Sequence, residues 1–180
     1  MARSDYCGED FFRVVMGALT PENRLAVYTS MYTGLRISDV LNLKTDQIRR
    51  QRFTVTEQKT GKRRHIRIPD GLVDDLLRIA GKIFVFENRI DYRRHRTRQA
   101  VYKDLRRACN LLRVSSTLTI SPHTARKIYA VNAYRENPNA KKVQQLLNHE
   151  SEAVTMIYAM ADELTRRSHT QKQLQTISAP

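Results

Sequence analysis

Apolar residues recur through most of the chain at the spacing of amphipathic helices, roughly every three to four positions. This pattern and local start and stop signals together predict helices over residues 8–19, 20–34, 39–43, 70–81, 97–114, 121–136, 139–149 and 151–167. Start and stop signals support the boundaries, since Thr20 and Pro21 open the second helix and Gly34 closes it. Ser38 is placed to cap the third helix.

One interval alternates between apolar and polar residues instead, which is the period of a β-strand. Residues 52–58 (RFTVTEQ) and 63–69 (RRHIRIP) both alternate, and Gly61 lies in the short turn between them. They predict a β-hairpin, and residues 82–88 (KIFVFEN) predict one further short strand. We therefore expect a mainly α protein with a small antiparallel β-sheet, which is an α+β fold.

The charge of the chain narrows the choice of partner. Its 180 residues suit a single domain, and 32 Lys and Arg against 18 Asp and Glu give a net charge of +14. This excess favours a polyanion, with nucleic acid ahead of an anionic membrane surface. No apolar run is long enough to cross a bilayer, the N-terminus has no secretory apolar region, and the two cysteines form no metal-ligand motif. These features predict a cytoplasmic protein without a membrane partner.

Two basic residues in the first third of the chain are candidates for chemistry. Arg36 follows the glycine that ends a predicted helix, where its guanidinium could hold a phosphate through two hydrogen bonds. It could equally be a surface arginine paired with Asp39. Lys59 lies where the predicted hairpin would project it into a DNA groove as a proton donor, unless the turn is only basic and solvated. Lys62 is a rival for the same role, three residues further on.

The C-terminal half carries two further candidate pairs. His123 and Arg126 are three positions apart in the first turn of a predicted helix, so they share a face and could address one anionic group. A capping histidine and a surface arginine are the alternative. His149 ends a predicted helix, and Tyr158 follows nine residues later, either as an amphipathic-helix tyrosine or as a nucleophile.

In this order the candidates form a complete set for attacking a phosphodiester. A tyrosine hydroxyl is a nucleophile that needs activation, and two guanidiniums can neutralise a pentacoordinate phosphorane. Histidines exchange protons near neutral pH, and a lysine can protonate the leaving oxygen. No acidic cluster typical of a Mg²⁺ site accompanies them in the sequence. We therefore expect no metal and no other cofactor.

The set resembles the catalytic domain of the tyrosine recombinases, the phage integrase family. The matching stretches are TGLRISDVLNLKTDQI, KTGKRRHIRI, PHTARKIYA and LLNHESEAVTMIY, which together run through most of the chain. The Thr-Gly-Leu-Arg run and the nine-residue spacing from His to Tyr are typical of the family. The resemblance implies a DNA breaking-rejoining fold and site-specific recombination through a 3′-phosphotyrosyl intermediate, with neither metal nor ATP consumed.

Carried over by position, the resemblance implies six catalytic residues and one supporting residue. The catalytic set is Arg36, Lys59, His123, Arg126, His149 and Tyr158. In this set the arginines hold the phosphate, Lys59 is the general acid on the leaving 5′-oxygen, and Tyr158 is the nucleophile. Asp39 supports the site.

The resemblance also implies a domain plan and an assembly. Residues 1–165 would be one catalytic domain and residues 166–180 a polar tail, with the N-terminal core-binding domain of other members absent. The chain would be either an excised catalytic domain or a naturally minimal member. Because members act as tetramers on paired DNA sites, we expect a homotetramer on double-stranded DNA, a monomer without DNA, and a bacterial, phage or plasmid origin.

Basic residues outside the catalytic set are candidate DNA contacts. Residues 92–99 (YRRHRTRQ) place four arginines ahead of a predicted long helix, where they would grip phosphates or a groove edge unless the segment is a solvated loop. The predicted DNA-binding residues are Lys62, Arg63, Arg64, Arg93, Arg94, Arg96 and Arg98. The alternative functions are DNA relaxation of the type IB topoisomerase kind, non-catalytic DNA binding on the same fold, and binding of another polyanion or a membrane surface.

Overall fold

A computed structural model describes residues 4–114, 118–137 and 139–147 of the chain. The elements in these ranges are α1 (Glu9–Gly17), α2 (Pro21–Thr33), α3 (Ile37–Leu41), α4 (Thr45–Arg49), β1 (Arg52–Thr56), β2 (Arg63–Arg67), α5 (Asp70–Ile79), α6 (Arg98–Leu111), α7 (Pro122–Glu136) and α8 (Ala140–Leu147). The described part is thus mainly helical with one two-stranded antiparallel sheet, as the sequence predicts. The predicted helix over residues 151–167 lies outside the described residues.

The helix boundaries follow the local sequence in most places. Pro21 occupies the first turn of α2, and Gly34 ends the helix with φ +66° while its N–H donates to Ser30 O at 2.9 Å. Thr20 flanks α2 as predicted, but its side chain makes no capping hydrogen bond. The prediction for Ser38 is wrong, because α3 begins at Ile37 and Ser38 therefore lies inside the helix.

The hairpin forms where the alternation predicts it. β1 and β2 pair antiparallel with Val55 opposite Arg64 and Phe53 opposite Ile66, and Gly61 supplies a turn residue with φ +66°. The strand predicted over residues 82–88 is wrong, since this segment makes only isolated bridges. Phe84 and the two residues after it are all buried, so the apolar run reflects a buried segment and not a strand.

The chain divides into two compact units, residues 1–129 and residues 130–180. In the first unit α1 packs against α2 and α6, α3 packs against α2 and α6, and α4 packs against α5 and β1. Its fully buried side chains include Phe12, Leu41, Ile48, Leu76 and Leu105, which lie on five different helices. In the described part of the second unit the buried side chains are Ala130, Val131, Val143 and Leu147.

Both cysteines, Cys7 and Cys109, are buried and free. None of the helices in the described part of the chain combines the length and the apolarity that crossing a bilayer requires.

Candidate active site

The turn at Gly34 holds the centre of the site. Its carbonyl oxygen accepts a hydrogen bond from Arg126 Nη1 at 2.8 Å and another from Arg64 Nη1 at 3.2 Å. The carbonyl oxygen of Thr33 accepts a third, from Arg64 Nη2 at 2.9 Å. Carbonyls at a helix C-terminus carry partial negative charge and lack partners within the helix, so cations stabilise them. The end of α2 therefore gathers two guanidiniums, one from β2 and one from α7.

Glu57, the residue after β1, is completely buried and joins two arginines. Its Oε2 accepts hydrogen bonds from Arg36 Nη1 at 2.5 Å and from Thr60 Oγ1 at 3.1 Å, and its Oε1 accepts one from Arg64 Nη1 at 3.3 Å. Burial alone would raise the pKa of Glu57, but attraction to Arg36, the hydrogen bond from Thr60 and the further contributions of Arg36 and Arg64 outweigh it and lower the pKa. Glu57 is therefore ionised at neutral pH.

Asp39 is a second buried carboxylate beside these groups. Its Oδ1 accepts a hydrogen bond from the Gln58 N–H at 2.9 Å. Burial raises the pKa of Asp39, the Gln58 N–H partly offsets this, and the charge of Glu57 raises the pKa further. The attraction of Arg36 and Arg126 is not enough to reverse the direction. The interpretation of Arg36 as a surface arginine paired with Asp39 is wrong, because Arg36 is only 7% exposed and pairs with Glu57.

Arg36 keeps one nitrogen available. Within the described residues its Nη2 is buried and has no hydrogen-bond partner, although Nη1 is bound by Glu57. A buried guanidinium N–H without an acceptor is costly. Among the described residues, three buried arginines are grouped here with two buried carboxylates, which leaves an excess of positive charge. The cluster is built to receive an anionic oxygen.

The remaining predicted catalytic residues divide into three groups. Arg126 is 2% exposed on α7, whereas His123 lies exposed in the first turn of that helix, with its N–H donating to Ser121 Oγ at 3.2 Å. Lys59 and Lys62 are both exposed in the turn between β1 and β2. His149 and Tyr158 lie outside the described residues. The structure thus brings Arg36, Asp39 and Arg126 together.

The predicted DNA contacts are mostly on the surface. Lys62, Arg63, Arg93, Arg94 and Arg98 are exposed. The Arg96 side chain is only 13% exposed, and its Nη2 lies 3.8 Å from Glu22 Oε2. The prediction of Arg64 as a DNA contact is wrong. Arg64 is buried and binds Glu57 and two backbone carbonyls, so it is not on the surface.

Sequence reasoning missed Glu57, although a signal was present. In a strand, residues two apart face the same side. Val55 faces the core, so Glu57 two positions later faces inward too, and on β2 the same rule places Arg64 beside Ile66. Opposite charges at inward-facing positions of one hairpin predict a buried ion pair.

Several known proteins are similar to this chain in sequence. The family model described as "Phage integrase family" matches residues 14–164. The chain belongs to this family. One member, "Tyrosine recombinase" of Thermosipho africanus, is 33% identical over 164 residues, covering 86% of this chain and 56% of that protein. Another, "Probable integrase/recombinase YoeC" of Bacillus subtilis, is 30% identical over 142 residues, covering 76% of each. The chain thus spans little more than half of the first relative and about three quarters of the second.

Solved structures of the phage integrase family share the fold. A lambda integrase dimer bound to a COC′ core site superposes with a TM-score of 0.70 at 21% identity, covering 87% of this chain and 60% of that one. The predicted family and fold class are therefore confirmed.

Proposed function

We propose that this chain is the catalytic domain of a tyrosine-type site-specific DNA recombinase, which cuts and rejoins DNA strands through a 3′-phosphotyrosyl intermediate. The observation that carries the proposal is the grouping of the buried arginines Arg36 and Arg126 around the Gly34 turn, with a buried Arg36 Nη2 that has no partner among the described residues. A phosphodiester would supply the missing acceptor, and its negative charge would complete the charge balance. Membership of the phage integrase family supports the same reaction.

In the proposed reaction the Tyr158 hydroxyl attacks the scissile phosphorus while a histidine, His123 or His149, takes its proton. The new bond joins the tyrosine oxygen to the 3′-phosphate, and the bond from phosphorus to the 5′-oxygen breaks. Lys59 gives that leaving oxygen a proton, so the second product is a free 5′-hydroxyl. Rejoining is the reverse attack by a 5′-hydroxyl, and no step requires ATP or a metal ion.

Double-stranded DNA is the proposed partner, with its phosphates bound by the exposed residues Lys62, Arg63, Arg93, Arg94 and Arg98. The net charge of +14 supports this choice. We also propose that residues 1–165 act as one catalytic domain, and that the protein is a cytoplasmic monomer that forms a homotetramer on paired DNA sites. Residues 166–180 would be a polar tail in this scheme.

The test uses a nicked suicide duplex carrying the site that the protein selects from a random-sequence pool. Wild-type protein should form a complex with this duplex that resists SDS, and the complex should persist in excess EDTA. Tyr158→Phe should bind the duplex in a mobility-shift assay but trap none of it, whereas the control Tyr102→Phe should trap it normally. Trapping by Tyr158→Phe at the wild-type level would show that Tyr158 is not the nucleophile. Relaxation of a supercoiled plasmid without the site would favour a topoisomerase.

A further inference from the structure

Glu57 belongs to neither the predicted catalytic set nor the predicted DNA contacts, yet it binds one arginine from each set, Arg36 and Arg64. It follows β1 directly and precedes Lys59 by two residues. Its carboxylate is completely buried and divides its two oxygens between Arg36 and Arg64. Burying a carboxylate costs free energy unless its charge is paired, and Glu57 is paired with two arginines.

We infer that Glu57 is a positioning residue for the cleavage reaction. It would hold Arg36 in the orientation that presents Nη2 to the scissile phosphate, and it would tie the base of the hairpin that carries Lys59 to the start of α3. The inference rests on the proposed function, because it assigns Glu57 a part in the same reaction.

The way Glu57 binds Arg36 favours this role. A carboxylate that bound a guanidinium with both oxygens would occupy one whole edge of the fork. Among the described residues, Arg36 donates to Oε2 and Arg64 donates to Oε1. Arg36 is thereby fixed at Nη1 and keeps its Nη2, which has no partner in the described part of the chain.

The hairpin is tied to α3 through two consecutive residues. Glu57 binds Arg36, and the backbone N–H of Gln58 donates to Asp39 Oδ1 at 2.9 Å. Arg36 directly precedes α3 and Asp39 lies in its first turn, so the two contacts anchor the hairpin to the same short helix at two points. Lys59 is the next residue along the chain and is exposed. The anchor therefore fixes the backbone position from which the Lys59 side chain extends.

The experiment compares Glu57→Gln with wild type in single-turnover cleavage of the nicked suicide duplex. The amide keeps the shape of the side chain but loses the charge that holds two arginines. Glu57→Gln should bind the duplex within about threefold of wild type and cleave it about 100-fold more slowly, since small misplacements of catalytic groups cost about that much. Glu22→Gln, at a partly exposed position of α2, is the control and should cleave normally.

A second substrate separates positioning from general damage to the fold. A methylphosphonate at the scissile position is uncharged, so its transition state carries one negative charge fewer and depends less on neutralisation by arginine. If Glu57 acts through Arg36, the deficit of Glu57→Gln relative to wild type should shrink to about threefold on this substrate. Should Glu57→Gln not fold, Glu57→Asp keeps the charge, shortens the arm and should show the same contrast.

Two results would overturn the inference: cleavage of the phosphate substrate by Glu57→Gln within about threefold of wild type, or an equal deficit on both substrates. A wild-type protein that cleaves neither substrate would instead contradict the proposed function.

Discussion

The guanidinium of Arg126 donates from Nη1 to the carbonyl oxygen of Gly34 at 2.8 Å, which joins residues 92 positions apart in the sequence. Gly34 also ends α2 two residues before Arg36. Gly34 has a positive φ, which ends α2 just before Arg36. The carbonyl oxygen of the same glycine binds Arg126.

Gly34→Ala should damage stability and site together. A Cβ at position 34 would overlap the ring of Tyr129, and φ +66° is unfavourable for alanine. We expect the free energy of unfolding to fall by about 2–5 kcal/mol, measured by urea denaturation. Gly71→Ala in α5 is the control, because nothing lies within 4 Å of its added Cβ and it should be neutral or stabilising. Equal stability of the two variants would contradict this account of the turn.

Replacing the adjacent arginines Arg63 and Arg64 of β2 should affect different properties of the protein. Arg64→Met removes a buried partner of Glu57 and of two backbone carbonyls, so it should lower the free energy of unfolding by about 3 kcal/mol. Arg63→Met, on the exposed face, should change stability by less than about 0.5 kcal/mol and weaken DNA binding. Chemical denaturation and a salt-dependent binding titration measure the two effects. A loss of stability in Arg63→Met as large as in Arg64→Met would refute the assignment.

Local signals predicted most of the elements. The hairpin follows from the alternation of its strands and from Gly61, whereas α2 follows from its boundary residues Pro21 and Gly34. The strand prediction for residues 82–88 failed because a buried apolar run has no period that separates a strand from a packed loop. The short helix α4 was not predicted, since Thr45–Arg49 is too brief to show a periodicity.

The candidate site was only partly predictable. The order of the basic residues pointed to Arg36 and Arg126, but nothing local shows that both arginines are buried beside one turn. That arrangement depends on the long-range hydrogen bond between Arg126 and the carbonyl oxygen of Gly34. The partner of Arg36 is Glu57, 21 positions away, whereas the nearby Asp39 was the local candidate. Tertiary contacts decided between the two carboxylates.

Asp104 on α6 should make stability depend on acidic pH. Its Oδ2 accepts hydrogen bonds from Thr20 N at 2.9 Å, Thr20 Oγ1 at 2.8 Å and Asn23 Nδ2 at 2.8 Å, and its Oδ1 binds Arg107. Burial alone would raise the pKa of Asp104, but the hydrogen bonds from Asn23, Thr20 and Arg107 lower it below the ordinary value of 3.8. A lowered folded-state pKa stabilises the fold above the unfolded value, and this stabilisation is lost as pH falls through the folded-state pKa.

Asp104→Asn should therefore be less stable than wild type at pH 7, by about 1–3 kcal/mol, and the difference should narrow below about pH 4. Urea denaturation between pH 3 and pH 7 measures both stabilities, and Asp75→Asn on the exposed face of α5 is the control. A difference that stays constant with pH would show that the Asp104 carboxylate is not the responsible group.

The roles of Lys59 and Lys62 can be distinguished with a substrate whose leaving group needs no proton. Lys59→Ala should slow cleavage of ordinary DNA by about 100-fold or more, since general acid catalysis is worth about that much. A 5′-bridging phosphorothiolate should restore its rate, because a thiolate leaves without protonation. Lys62→Ala should weaken binding and cleave both substrates at similar relative rates when saturated. Rescue of Lys62→Ala alone would exchange the two roles.

In the proposed reaction Tyr158 forms the covalent bond to DNA. The most direct measurement is to trap wild-type protein on the nicked suicide duplex, digest the complex with trypsin and nuclease, and locate the attached nucleotide by tandem mass spectrometry. Cleavage after Lys142 and Arg166 gives the peptide 143–166, which contains Tyr158 and no other tyrosine. We predict that the nucleotide is found on Tyr158 of this peptide. A nucleotide on any other residue, or no covalent complex at all, would contradict the account.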